Sequence, residues 1–211
     1  MKACDLTGKR ILITQAGSFM GPALCQTFTD LGAEVFTDDR PLLDPELPAQ
    51  LVRQAEPLDA LVANLALAAP FTAATTASDD EWRQVFAHLV DPLPRLVRAA
   101  LPDMLRRGAG KILLMGSAAA LRGIRRASTY SAARGAQLAY IQAVGVEVAP
   151  HNIQVNAIAQ NFVDNPTYFP PEIQANPAFQ ERLKREVPLG RLVSASEDAL
   201  FAAYLCSDAA N

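Results

Sequence analysis

Charge is scarce in this chain of 211 residues: Asp, Glu, Lys and Arg make up 19%, and 22 acids against 19 bases leave a net charge of −3. No basic run is present, so the sequence carries no electrostatic footprint of a nucleic-acid or anionic-membrane partner. Histidine is nearly absent, with only His88 and His151. The cysteines are Cys4, Cys25 and Cys206, odd in number and far apart, a pattern that fits neither a disulfide framework nor a zinc site. They read as free thiols of a reducing cytoplasm. No apolar run approaches the length of a membrane span, and the first ten residues lack the apolar core of a signal peptide. What the chain does have is hydrophobic residues, 50% of the total, enough to give a single domain over 1–211 a sizeable core. The expectation is a soluble, cytoplasmic protein.

The apolar residues fall in short runs that alternate with longer helical stretches. Segments 9–14, 33–37, 58–64, 111–115 and 152–158 read as strands. Segments 21–31, 93–105, 130–148, 178–186 and 194–207 read as helices, as does the stretch from Asp79, where Ser78 stands three residues before Glu81 as a cap signal. Between residues 39 and 57 four prolines leave room for at most a brief strand near Leu42 and Leu43 and one helix over 48–55. Strand–helix–strand order of this kind predicts an α/β fold, a single Rossmann-like, doubly wound domain with a mainly parallel sheet.

Three residues carry the chemistry. Ser117 follows the strand over 111–115, which puts its hydroxyl at a strand's carboxyl end, where open α/β sheets hold their ligands. Tyr130 and Arg134 lie four apart on the next helix and share a face. Ser117 precedes Tyr130 by thirteen residues, enough for the helix to return beside the strand, so hydroxyl, phenol and guanidinium converge. A free tyrosine, with a pKa of ~10, is a poor base at neutral pH. A fixed cation close by favours the phenolate, and a fall of about three pH units corresponds to roughly 4 kcal/mol.

Serine, thirteen residues, tyrosine and then a base four residues on resembles the catalytic core of the short-chain dehydrogenase/reductase superfamily. There the base is lysine. Arg134 resembles instead one offshoot, the halohydrin dehalogenases, which share the fold without the redox chemistry. The loop after the first strand agrees. The reductases have Thr-Gly, three residues, Gly, one residue, Gly, with glycines that let the backbone approach a pyrophosphate. Here Gln15 and Phe19 replace the first two glycines, Gly21 is kept, and Gly17 falls between the required positions. Thr14, Phe19 and Gly21 are similar to the dehalogenase pattern. Asp38 and Asp39 stand where a ribose-binding acid would be sought but read as solvated loop acids. Asn64 resembles a structural asparagine that ties loops together, and His88, at the place of the reductases' relay asparagine, reads as a packing residue.

The resemblance implies a mechanism and a site. Tyr130, with its pKa lowered by Arg134, would take the proton of a haloalcohol hydroxyl that Ser117 orients. The halide would leave into a pocket formed by the backbone N–H groups of Phe162 and Val163 with Phe19 nearby, in a loop braced by Asn161. Leu65, Phe71, Tyr168 and Phe169 would wall the substrate pocket, with 165–171 as its cover. The implied activity is reversible conversion of vicinal haloalcohols to epoxides, with ring opening by azide, cyanide or nitrite. It implies no cofactor, no metal, no nucleic-acid or membrane partner, and a homotetramer. The superfamily continues into a further strand where this sequence stops, so the final strand is expected to be missing. Two other readings stay open: an NAD(P)-dependent oxidoreductase, and a non-catalytic, ligand-sensing member of the fold.

Overall fold

The structure, a computed structural model, describes residues 4–211. The chain runs β1 (Arg10–Thr14), α1 (Gly21–Asp30), β2 (Glu34–Asp38), α2 (Leu47–Ala55), β3 (Ala60–Ala63), α3 (Asp79–Leu89), α4 (Pro92–Arg107), β4 (Gly110–Ser117), α5 (Ser128–Val148), β5 (Ile153–Gln160), α6 (Pro171–Gln174), α7 (Pro177–Glu186) and α8 (Ala195–Cys206). The five strands form one parallel sheet in the order β2-β1-β3-β4-β5. Strand order reverses between β1 and β3, which makes their carboxyl ends the topological switch point. No helix among the described residues is long and apolar enough to cross a membrane.

The central strands are apolar on both faces because helices cover both, as parallel sheets require. Ile11, Ile13, Val62, Leu113 and Met115 pack with Leu24 and Phe28 of α1 and Ala199, Ala202 and Ala203 of α8. Leu12, Leu61, Ile112 and Leu114 face the other way, onto α2, α4 and α5 through Leu51, Leu96 and Ile141. The register pairs Leu113 with Val62 and with Asn156, and Ser117 with Gln160. The strands therefore end level, and their loops gather over one edge.

The segment between β2 and α2 resolves one open expectation. No strand forms over 42–43: the segment is a turn, and Leu42 buries its side chain beside Leu47 and Leu51 of α2. Pro41 and Pro45 flank it, and a residue preceding a proline cannot settle readily into a regular ladder with a missing N–H beside it. Further on, α3 closes at Leu89 and Pro92 opens α4. Pro at a first helical position loses no intrahelical bond.

Gly21 opens α1 where only hydrogen fits: a Cβ there would lie 2.2 Å from the carbonyl oxygen of Ala16. Gly21→Ala is expected to lower stability by about 3 kcal/mol, near the upper range for a forced overlap, and Tm by roughly 10 °C for a chain of this size, read by thermal unfolding.

The opposite end of the site scaffold, α8, starts with a reciprocal cap. Ser194 accepts the Glu197 N–H, and the Glu197 carboxylate accepts the Ser194 N–H at 2.9 Å and two Arg191 bonds at 2.7 Å. Arg191 first, then Ser194, hold the Glu197 carboxyl down at about 2 against its ordinary 4.5. A lowered acid contributes stability that is complete above its unfolded value and disappears as pH falls through the folded one. Hydrogen exchange at the first-turn amides of α8 should therefore accelerate between pH 4.5 and about 2, and Glu197→Gln should remove that pH dependence.

Candidate active site

Ser117 ends β4 and accepts the Ala119 N–H at 3.2 Å, which fixes its hydroxyl at the strand's tip. Tyr130 and Arg134 lie one turn apart in α5, both almost fully buried. The Arg134 guanidinium rests beside the Tyr130 ring, Cζ 5.1 Å from its centroid. It donates not to the phenol oxygen but to the carbonyls of Met115 at 3.3 Å and Leu65 at 3.2 Å and to Gln137 Oε1 at 3.0 Å. Gln137, fully buried, passes its amide on to the Leu89 carbonyl. The expected pairing is thus a cation against a ring, anchored from below by backbone dipoles.

One cavity of about 760 Å³ opens over these groups. Ser117, Tyr130, Arg134, Phe19, Leu65, Phe71, Asn161, Phe162, Val163, Tyr168 and Phe169 all line it. Every residue singled out for the site from the sequence therefore meets at one place. Phe19 turns its ring in against Tyr168, centroids 5.6 Å apart, and Phe162 stacks on Phe169 at 5.9 Å. The loop after β5 is fixed by the Val193 N–H to the Phe162 carbonyl at 3.0 Å and the Asp164 N–H to the Val193 carbonyl at 2.8 Å. Among the described residues, neither the Phe162 nor the Val163 N–H group donates a hydrogen bond. Phe71 is exposed at the rim, where Arg122, Arg125, Arg182 and Glu186 also stand.

The brace of this loop differs from expectation. Asn161 is exposed, and Asn165 does the tying: its amide donates to the Val163 carbonyl at 2.9 Å while its Oδ1 accepts the Tyr168 N–H at 3.0 Å. An asparagine two residues after the strand-ending loop can reach back and forward at once, which one inside it cannot. The Tyr168 hydroxyl accepts the Ala69 N–H at 2.9 Å, and burial, followed by the neighbouring Tyr130, pushes its pKa up to about 12. Further back, Gln160 at the end of β5 donates to Asp198 of α8, whose carboxyl is raised by burial against the opposing pull of that bond.

The dinucleotide of the reductases would lie over the switch point. Here that crevice is bridged by the protein itself. Gln15 Oε1 accepts the Ala66 N–H at 2.6 Å, spanning the β1 and β3 loops. Asp39 accepts the Gly17 N–H at 2.7 Å, and Asn64 donates to the carbonyls of Gln15 and Ser18 at 3.0 Å. Gln15 and Phe19 hold left-handed backbone, φ 47° and 49°, a glycine conformation that now carries side chains. These groups fit a dinucleotide poorly: the Gly17 and Ala66 N–H groups are taken by Asp39 and Gln15, and Phe19 carries a benzyl side chain where the pyrophosphate loop needs glycine. Asp39, read as a solvated acid, is thus a loop clamp, while Asp38 pairs with Arg40 at 2.7 Å. His88 bonds the Gln84 carbonyl on its own helix at 2.8 Å and stands outside the cavity wall.

Gln137, Asn165 and the Gln160–Asp198 pair were not legible as site residues. Gln137 had one signal, a polar side chain three positions past Arg134 on an apolar helix. The pairs across loops had none.

Comparison with known proteins follows the geometry. Residues 45–211 match the family model described as enoyl-(acyl carrier protein) reductase. Galactitol 2-dehydrogenase (L-tagatose-forming) of Cereibacter sphaeroides is 30% identical over 98% of this chain and 91% of its own. The 3-oxoacyl-[acyl-carrier-protein] reductase FabG of Pseudomonas aeruginosa is 35% identical over 63% of this chain and 52% of its own. The chain spans 52–64% of the length of the first curated relatives it matches. A solved structure described as a dehalogenation enzyme superposes with a TM-score of 0.87 at 30% identity, covering 97% of this chain and 93% of that one. With that family model over most of its length and the sheet and Ser-Tyr placement described above, the chain belongs to the short-chain dehydrogenase/reductase superfamily.

Proposed function

We propose that the protein is a halohydrin dehalogenase, a cofactor-independent enzyme that interconverts vicinal haloalcohols with epoxides and halide. The observation that carries this reading is the pairing of two features of one region. The loops over the switch point are crossed by the Gln15–Ala66 and Asp39–Gly17 bonds, with Phe19 where the reductase pattern has glycine, while the cavity is lined by Ser117, Tyr130, Arg134, Phe162 and Val163. The solved structure described as a dehalogenation enzyme, similar over nearly its whole length, supports the same reading.

In the proposed reaction the Tyr130 oxygen, as phenolate, takes the proton of the substrate hydroxyl. Ser117 donates a hydrogen bond to that oxygen and orients it. The oxygen's electron pair then closes on the neighbouring carbon, the carbon–halogen bond breaks, and its electron pair leaves with the halide. Phe162 and Val163 N–H groups receive the halide between aromatic walls, a concave donor set suited to a weakly hydrated anion. Arg134 balances the phenolate's charge from beside the ring. Products are epoxide, halide and neutral Tyr130, which returns its proton to water. In reverse, a small anion such as azide, cyanide or nitrite opens the epoxide while Tyr130 protonates the oxygen. The reading extends to a homotetramer, for which exposed Val146 of α5 and Leu200 and Phe201 of α8 offer apolar surface.

A second reading, an NAD(P)-dependent oxidoreductase, is favoured by the names of the relatives. Fluorescence titration of NADH and NADPH into the protein separates the two: no saturable change is expected with either, and saturable binding would overturn the dehalogenase reading. Halide and acid release from a brominated or chlorinated propanol is the direct assay. Tyr130→Phe should lower that release by about 10³-fold, within the span of general-base contributions, with circular dichroism and thermal unfolding unchanged. Turnover surviving in that variant would exclude Tyr130 as the base.

A further inference from the structure

The charge of the cavity runs against that of the chain. The protein as a whole carries a net −3, yet the acidic and basic side chains along the cavity are four arginines and one glutamate. Arg134 is spent on two backbone carbonyls and Gln137. Arg182 of α7 gives its fork to Glu186, Nε at 3.0 Å and Nη2 at 3.3 Å, and Arg185 reaches the same carboxylate at 3.4 Å. Glu186 is thereby neutralised by its own helix. Arg122 and Arg125 remain, and among the described residues neither guanidinium makes a hydrogen bond or an ion pair.

These two arginines stand on the strap that carries the chain from Ser117 to Tyr130. The strap begins in a 3₁₀ turn over Ala118–Ala120, with the Leu121 N–H on the Ala118 carbonyl at 2.9 Å. At its far end Ala127 pairs with Thr72 as an isolated bridge, and Arg126 Nε donates to the Phe71 carbonyl at 3.1 Å. Arg126 takes left-handed backbone there, φ 63°. Both ends are thus tied, and the residues between, Arg122 to Arg125, form one part of the cavity lining. Arg122 and Arg125 are exposed, which spares them the desolvation that a buried unpaired cation suffers. A cleft with apolar walls and charge of one sign focuses its field and draws in ligands of the opposite sign.

We propose that Arg122 and Arg125 determine substrate specificity: they select a haloalcohol or epoxide whose far end carries an oxyanion, either a carboxylate or a phosphate ester. The planar fork of arginine matches two oxygens of such a group at once. A substrate held at the cavity mouth by its oxyanion extends its hydroxyl toward Ser117 and Tyr130, to which the strap itself is joined. The reaction at carbon is the one already given: the hydroxyl oxygen closes on the neighbouring carbon, halide leaves with the bond pair, and the oxyanion passes through unchanged. Because that group is held alike in the ground state and the transition state, the two arginines act on KM and not on kcat. The substrate class rests on the dehalogenase reading, whereas an oxyanion site at the mouth does not.

The test pairs each charged probe with a neutral one of similar size. Chloride release is followed from 4-chloro-3-hydroxybutanoate beside its amide, and from 3-chloro-2-hydroxypropyl phosphate beside uncharged 3-chloropropane-1,2-diol. In the wild type at least one oxyanion is expected to exceed its neutral partner about tenfold in kcat/KM, as two exposed charge pairs would give, with the difference in KM. Which of the two it is assigns carboxylate or phosphate. Raising the ionic strength should shrink the ratio, and combining Arg122→Gln with Arg125→Gln should bring it near one. A ratio near one in the wild type, or one that persists in the double variant, would overturn the proposal. So would a double variant that lowers only the opening of epoxides by azide, since the arginines would then serve the small anion. Should the double variant fail to fold, a wild-type ratio indifferent to salt overturns the proposal and a salt-sensitive one supports it. Binding of the halogen-free 3-hydroxybutanoate, 3-hydroxybutanamide, glycerol phosphate and glycerol, followed by NMR titration, keeps the two readings apart. An oxyanion preference that the double variant loses, with no chloride released from any probe, would end the dehalogenase reading and leave the oxyanion site standing.

Discussion

The site depends on one buried guanidinium. A charge taken out of water is costly unless its hydrogen bonds are replaced, and Arg134 finds three acceptors in the carbonyls of Leu65 and Met115 and the amide oxygen of Gln137. Those carbonyls lie just past β3 and within the end of β4, so the cation laces together the two strand ends that floor the cavity. The planar fork is what makes this possible, because its donors diverge in fixed directions. A lysine ammonium at this position could supply the charge but not the same simultaneous reach. The superfamily's lysine-to-arginine exchange is thus a change in what holds the sheet edge together as well as a change of cation.

Around this anchor the loops hold a backbone suited to glycine and place side chains on it. Gln15 and Phe19 sit in left-handed conformation, and so does Phe162, φ 46°, across the cavity. Each such residue costs on the order of 1–3 kcal/mol and persists only where its surroundings impose it. The surroundings are visible: Asn64 grips the carbonyls of Gln15 and Ser18, Gln15 spans to Ala66, and Val193 holds the loop that carries Phe162. Strain at both walls of one cavity means that the aromatic rings are aimed, not merely accommodated.

Much of this was readable in advance because it is local or periodic. The five strands follow from short apolar runs, and the meeting of Ser117, Tyr130 and Arg134 follows from the thirteen-residue and four-residue spacings. Phe19 was legible because a side chain at a glycine position has few places to go. What escaped lies in contacts between segments distant in sequence. Ala69 and Tyr168 are 99 residues apart and Gln160 and Asp198 are 38 apart, and no spacing rule links loops to one another. Arg134 lines the cavity, but its hydrogen bonds could not be foreseen, since backbone carbonyls leave no signal in a sequence. At Leu42 the sequence left a brief strand or none, because an apolar pair between prolines can serve a strand or a turn, and burial alone satisfied it here.

The arrangement also explains why a cavity with so many arginines needs its aromatic walls. Under the proposed reaction one negative charge moves from the Tyr130 phenolate to the departing halide, so it is held in turn at two places with different needs. On that reading the site separates the two: the guanidinium would serve the oxygen and backbone N–H groups the halide. Phe19, Phe162, Tyr168 and Phe169 stand between and around them. A walled, apolar boundary lets each anion interact with its own donors and keeps the halide from settling against Arg134, where a tight ion pair would hold it after the bond has broken. Under that reading Phe19, which stands where the reductase pattern has glycine, has a second consequence: it would help give a leaving halide an exit that the cation does not control.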